Sequence, residues 1–162
     1  MLRMVVLVAG ILVASGADAK TPCTPKRLGV GLGGGNLLSG VSVKKCLTKK
    51  TAVQGTLGAL VNGVGAGADY MIAQTVLWKG RDLRLRWGVG AGTAIASYGF
   101  GGFGGLLIDA SAVVELVLEF ENLPVEVTTD WRPGYWIGLG DAASFGALHL
   151  NGGGGAIRWF FD

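Results

Sequence analysis

The chain is short of charge. Asp, Glu, Lys and Arg make up 15% of its 162 residues, against roughly 25% in an ordinary soluble domain. Its mean hydropathy of +0.49 is too apolar for a typical cytosolic domain. Beyond the N-terminus it has no apolar run of the ~20 residues a membrane helix needs. With two Cys and one His no zinc-ligand cluster can be read. The glycine-rich stretches contain no GxxxxGK[ST] phosphate loop, and no cofactor is expected. The formal net charge of +3 is too small to argue for nucleic acid as a partner. A chain that is apolar overall and has no spanning helix is left with few architectures.

What the chain does have is glycine and alternation. Gly accounts for 30 residues, far above the usual ~7%. The stretch Leu83–Ser97, LRLRWGVGAGTAIAS, puts Leu83, Leu85, Trp87, Val89 and Ile95 on one face of a strand. Arg84, Arg86, Gly88, Gly90 and Gly92 fall on the other. The same period of two recurs along the chain and predicts eight strands. They run at about 27–33, 41–47, 51–61, 68–78, 83–97, 107–120, 125–137 and 147–161. Connections at 48–50, 79–82 and 121–124 are short and mostly charged. Those at 33–40, 62–67, 97–105 and 138–146 are longer and glycine-rich.

The first residues, MLRMVVLVAGILVASGADAK, combine basic Arg3, an apolar core and the pattern Ala17-Asp18-Ala19. This predicts a secretory signal peptide over 1–19 and a barrel domain over 20–162. The fold class expected is all-β: an eight-stranded antiparallel up-and-down transmembrane β-barrel. A soluble β-sandwich or a secreted lipocalin-like binding barrel shows the same alternation with the apolar face turned inward. Three features favour the membrane form. The non-apolar face is mostly glycine, which is weak in an exposed strand. The third to seventh strands are long enough to cross an outer membrane at a tilt. Aromatics gather near strand ends, with Trp78, Phe120, Trp159 and Phe161 toward one rim. Tyr70, Tyr98, Phe100, Phe103, Tyr135 and Phe145 lie toward the other.

The stretches GVSVKKCLTKKTAVQGTLG, GADYM, LRLRWGVGAG, VVELVLEFENLPVEVTTDWRP and GGAIRWFF cover most of Gly40 to Phe161. In these the chain resembles small eight-stranded outer-membrane β-barrel proteins of Gram-negative bacteria and spirochaetes. The likeness is to a largely uncharacterised group with an OmpA/OmpX-like barrel architecture. The block around Pro124, Asp130 and Pro133 is its most specific part. The resemblance implies an outer-membrane barrel and no established activity. Trp159 and Phe161 resemble the C-terminal signal read by the barrel-insertion machinery, although Asp162 makes the last aromatic penultimate.

If the apolar face meets lipid, the other face lines the interior. An eight-stranded barrel is only wide enough to be filled by side chains. Isolated buried charges are costly, so mixed signs should pair. Strand direction places Arg27, Lys44, Arg84, Arg86, Arg132 and Arg158 with Glu115, Glu119, Glu126 and Asp130 in the half nearest the chain ends. This predicts a salt-bridged plug of Lys44, Arg84, Arg86, Glu115, Glu119, Asp130, Arg132 and Arg158, with space above it where glycines line the wall. Such an interior is either a packed core without transit or a gated path for small solutes. Cys23 and Cys46 fall near the same rim, where an oxidising periplasm would allow a disulfide. His149, with Ser144 the nearest hydroxyl in sequence, is expected to be a polar rim residue, and no catalytic residue is assigned. The reading is of a non-enzymatic outer-membrane protein, exported and monomeric. Its partners are outer-membrane lipid and the insertion machinery. Its role is structural, or a minor channel or binding function, and a lipid-modifying enzyme is the alternative.

Overall fold

Alternation along each strand decides which side chains share a face, and hydrogen bonding between neighbours then decides the shape. The computed structural model describes residues 27–60, 63–100, 103–140 and 144–161. The segment 1–19, Cys23 and Asp162 lie outside them. All regular segments among the described residues are strands. They are β1 (Leu28–Gly34), β2 (Ser39–Cys46), β3 (Ala52–Leu60), β4 (Gly63–Lys79), β5 (Leu83–Phe100), β6 (Phe103–Phe120), β7 (Val125–Trp131), β8 (Gly134–Gly140), β9 (Phe145–His149) and β10 (Gly153–Phe161).

These segments make eight strands, because β7 with β8 and β9 with β10 are each one strand interrupted. Every neighbour pair is antiparallel, and β1 closes the ring by pairing with both β2 and β10. The strands are staggered. A path along paired residues leaves Gly34 at the upper end of β1 and passes through Gly155, Thr129, Leu116 and Trp87. It arrives at Thr75 in the lower half of β4. That offset is the shear of a tilted, closed barrel. The rim that holds the start of β1 and the end of β10 is the lower rim here.

Pro133 interrupts the seventh strand, since it has no N–H to give the ladder. The eighth is interrupted at 150–152. There the inward set changes from His149 to the even positions Gly154, Arg158 and Phe160. In β4 the register slips between Met71 and Ala73 and again between Val76 and Trp78. The first slip turns both Met71 and Gln74 into the barrel, where strict alternation could place only one of them.

The long glycine-rich upper loops expected from sequence are mostly strand. Gly63 pairs with Leu60, Tyr98 with Gly105 and Gly99 with Gly104. The ladder extends because a strand satisfies backbone groups that a loop must leave to solvent. Aromatic rings cover the glycines opposite: a Cβ on Gly105 would lie 2.6 Å from the Tyr98 hydroxyl. Tyr70 therefore sits near the middle of β4 rather than at its upper end.

The faces are polarised opposite to those of a soluble β-protein. Lys44, Glu115, Glu119 and Glu126 are 0% exposed, while Leu57 and Val64 are 67% and 68% exposed. Leu28, Leu32, Val41, Ile95, Ile137 and Ile157 also face outward. Inside are small apolar clusters: Cys46 with Phe160 near the lower rim, Ala52 with Met71 and Val113 midway, and Leu37 and Leu38 with Ala96 above.

Candidate functional site

Inward-facing charges fall into two clusters. In the lower one, β2, β7 and β10 converge on Glu126. Lys44 Nζ donates to its two oxygens at 2.9 and 3.0 Å, and Arg158 Nη1 donates to Oε1 at 3.0 Å. Arg158 also donates through Nε to Ser42 Oγ at 2.9 Å and through Nη2 to Gln54 Oε1 at 2.9 Å. Lys44 lies 3.4 Å from Glu115 as well. Glu115 accepts from Gln74 Nε2 at 2.8 Å and from Gln54 Nε2 at 3.4 Å. Gln74 Oε1 in turn accepts from Arg86, whose Nη1 donates to Glu119 at 2.6 Å. Arg84 bridges Glu119 at 3.5 Å and Glu121 at 2.6 Å. Glu119 and Glu126 are direct cross-strand neighbours. Like charges so placed repel, and each is held by its own cations.

Asp130 and Arg132 do not join this network. Arg132 forms a fork with Asp69, donating from Nη1 and Nη2 to its two oxygens at 2.8 Å each. Its Nε donates to Asp130 at 2.6 Å. The reason is register: the upper end of β7 brings Arg132 level with Asp69, an inward residue of β4 whose ion-pair partner among the described residues is Arg132. Gly92, opposite Asp69, gives its carboxylate room, since a Cβ there would overlap Asp69 Oδ1. The Asp in GADYM, on the parity opposite Tyr70 and Ile72, was the signal for it.

The same upper region holds His149, which is buried at 6% exposure rather than placed on the rim. Its Nε2 lies 2.8 Å from Asp109 Oδ1, and its ring stacks on Trp136 with centroids 4.5 Å apart. Its Nδ1 meets the Asn36 amide at 3.5 Å. Ser144 is exposed. The interior hydroxyl near the imidazole is Ser111, which shares a cross-strand row with Gly134 and His149. A Cβ on Gly134 would sit 2.8 Å from Ser111 Cβ and 2.9 Å from His149 Nε2. Ser111 Oγ makes no hydrogen bond to the ring, and Nε2 is already occupied by Asp109. A nucleophile–base–acid relay needs hydroxyl and acid on opposite ring nitrogens, so this geometry does not form one.

The glycine-lined space expected above the plug is largely occupied. The turn at 35–38 folds inward, and Leu37 and Leu38 pack with Ala96, Leu60, Leu107 and Trp136. Asn36 reaches down to donate to the Arg132 carbonyl at 3.1 Å. A cavity of about 40 Å³ lies against Asn36, Thr56, Asp69, Asp109, Ser111 and Arg132.

At the lower rim Arg27 is buried, Cys46 is fully buried and disulfide-bonded, and Cys23, the other cysteine of the chain, lies outside the described residues. Trp159 and Phe161 point outward, with Phe160 between them turned in against Cys46. Sequence reading missed Phe160, Ser42 and Gln74, and gave Gln54, on the polar face of its strand, no role. Neutral side chains on an inward parity carry no mark in the sequence, and Gln74 depends on a register slip.

Comparisons with protein-family profiles, with curated proteins and with solved structures gave no match to this chain. The closed eight-stranded antiparallel barrel is consistent with the small barrels the sequence resembles, and it is the barrel alone that the structure establishes.

Proposed function

We propose that this chain is an integral outer-membrane β-barrel protein with a filled interior, acting as a structural or ligand-holding barrel rather than as an open conduit. The observation that carries the reading is the inversion of polarity: fully buried Lys44, Glu115, Glu119 and Glu126 inside, and exposed Leu, Val and Ile around the outside. In water that outer face would forfeit about 25 cal/mol for each Å² of apolar surface left exposed. In lipid it forfeits nothing. Exposed large apolar side chains occur on strands all round the ring, whereas soluble monomers rarely carry large contiguous apolar patches.

Other features support the reading. Both described chain ends lie on one rim, which suits entry and anchoring from the periplasm. The pattern over 1–19 fits export. Outward Trp159 and Phe161 fit recognition by the insertion machinery. The ring closes without a second chain, in keeping with a monomer. The lower ion-pair network and the inward 35–38 turn both occupy the lumen, which argues for holding rather than passage.

The test is a charge placed on the outer face. Leu32 lies near the middle of β1 and pairs with Val41 and Ile157, both outward. Leu32→Arg should cost about 2–4 kcal/mol of folding free energy in lipid vesicles if that face meets hydrocarbon. A change within about 0.5 kcal/mol, as at an ordinary wet surface, would contradict the reading.

A further inference from the structure

We infer that the lower rim is a binding surface for anionic phospholipid, its cations taking the phosphodiester headgroups while the apolar wall beside them takes the acyl chains. The inference rests on the outer-membrane reading and adds to it a leaflet and a headgroup class. Among the described residues six charged side chains are exposed: Lys45, Lys49, Lys50, Lys79, Arg81 and Asp82. Five are cations, and all six lie at the lower rim. At the upper rim no described charged residue is exposed. The modest net charge of +3 over the whole chain conceals this separation.

These cations are left over from the pairing of the interior. Glu115, Glu119 and Glu126 are fully buried and held by Lys44, Arg84, Arg86 and Arg158. Lys79 reaches Glu121 at 3.7 Å, with its own side chain 58% exposed. Lys45, Lys49, Lys50 and Arg81 form no ion pair with a carboxylate among the described residues. Asp82, the exposed anion, already accepts from the Asn122 amide.

The way they are mounted selects a lipid. Lys45 is on the outer face of β2, between exposed Val43 and Leu47 along the chain, with exposed Leu28 and Val53 as its cross-strand neighbours. A Lys so placed lays its stem along apolar surface and carries its charge to the nearest phosphates. Lys49 and Lys50 sit on a turn that is held in place. Thr48 Oγ1 accepts from the backbone N–H groups of Lys50 and Thr51, and the Lys49 carbonyl accepts from Arg86 at 3.1 Å. Lys79 and Arg81 flank Gly80, which the Trp78 ring covers. Exposed Val76, Leu77, Trp78 and Trp87 lie on the same two strands. Trp beside apolar side chains is the composition of a membrane–water interface. A soluble acidic protein or free phosphate would engage the cations and leave the apolar wall uncovered. A phospholipid engages both.

The experiment reconstitutes the full chain in phosphatidylcholine vesicles with a trace of spin-labelled phosphatidylglycerol or spin-labelled phosphatidylcholine. Electron spin resonance then reads the share of each label slowed at the protein surface. In low salt phosphatidylglycerol should associate about twofold more strongly than phosphatidylcholine. In 1 M NaCl, where the Debye length is about 3 Å, the two should associate equally. Combining Lys45→Gln, Lys49→Gln and Lys50→Gln should bring the low-salt ratio toward one, and the same three positions changed to Arg should keep it. Should the triple Gln variant fail to reconstitute, Lys49→Gln with Lys50→Gln, confined to the exposed turn, decides by the same fall in ratio. Equal slowing of both labels by the unaltered chain would overturn the inference and leave the membrane reading standing. A preference that persists in the Gln variants or in 1 M NaCl would overturn it too. If neither label is slowed, the chain does not span the bilayer, and the outer-membrane reading falls together with the inference.

Discussion

Glu126 accepts from Lys44 and Arg158 at once, and none of the three side chains has more than 5% of its surface open to solvent. Taking one partner from such a group leaves an uncompensated buried charge, at a cost of about 3–5 kcal/mol. Glu121 makes comparable contacts with Arg84 and Lys79, but nearer the surface, where an ion pair contributes about 0–1 kcal/mol. Glu126→Gln should therefore lower unfolding free energy by about 3–5 kcal/mol in a urea titration, and Glu121→Gln by less than about 1. Equal effects would mean that burial does not govern these pairs. At this scale the sequence marked the charged inward positions well, because parity alone places Lys44, Glu115 and Arg158 on the interior face. It did not mark their pairing. Arg132 chooses Asp69 across the barrel rather than Glu115 or Glu119, and that choice depends on stagger, which no single strand records.

At the scale of elements, the β1–β2 turn does more than connect. Leu37 and Leu38, 5% and 4% exposed, fold into the upper mouth and pack under Trp136. Truncating a buried Leu typically costs 2–5 kcal/mol. Leu38→Ala should fall at the lower end, about 2 kcal/mol by the same titration, because a turn at the barrel mouth can settle into the gap. No loss would show that the turn does not cap the barrel. The strands were legible from alternation, with their lower ends set by the charged turns. The upper ends were not, because glycine reads as loop and only pairing partners such as Tyr98 and Gly105 reveal the ladder. The slips in β4 and the break before β10 were equally hidden, since an extra residue in a strand has no composition of its own.

For the whole molecule, closure and polarity are separate facts. Closure satisfies the backbone of nearly every strand and is indifferent to solvent. Polarity is not. A barrel with Lys44 and Glu126 inside and Leu57 and Val64 outside has its lowest free energy where the outer solvent is apolar. Glycine then has a clear place in the fold. On the inner wall it makes room for neighbouring groups, as Gly29 does for the Phe160 ring and Gly134 for His149, so a lumen that looked empty in sequence is filled.

The central claim is the placement of this barrel in an outer membrane, and fractionation with gel migration tests it most directly. The full chain, expressed with its N-terminal segment in a Gram-negative host, should be recovered in the outer-membrane fraction. It should migrate differently on a denaturing gel before and after boiling. Recovery in the soluble periplasm, with migration unchanged by boiling, would contradict the account.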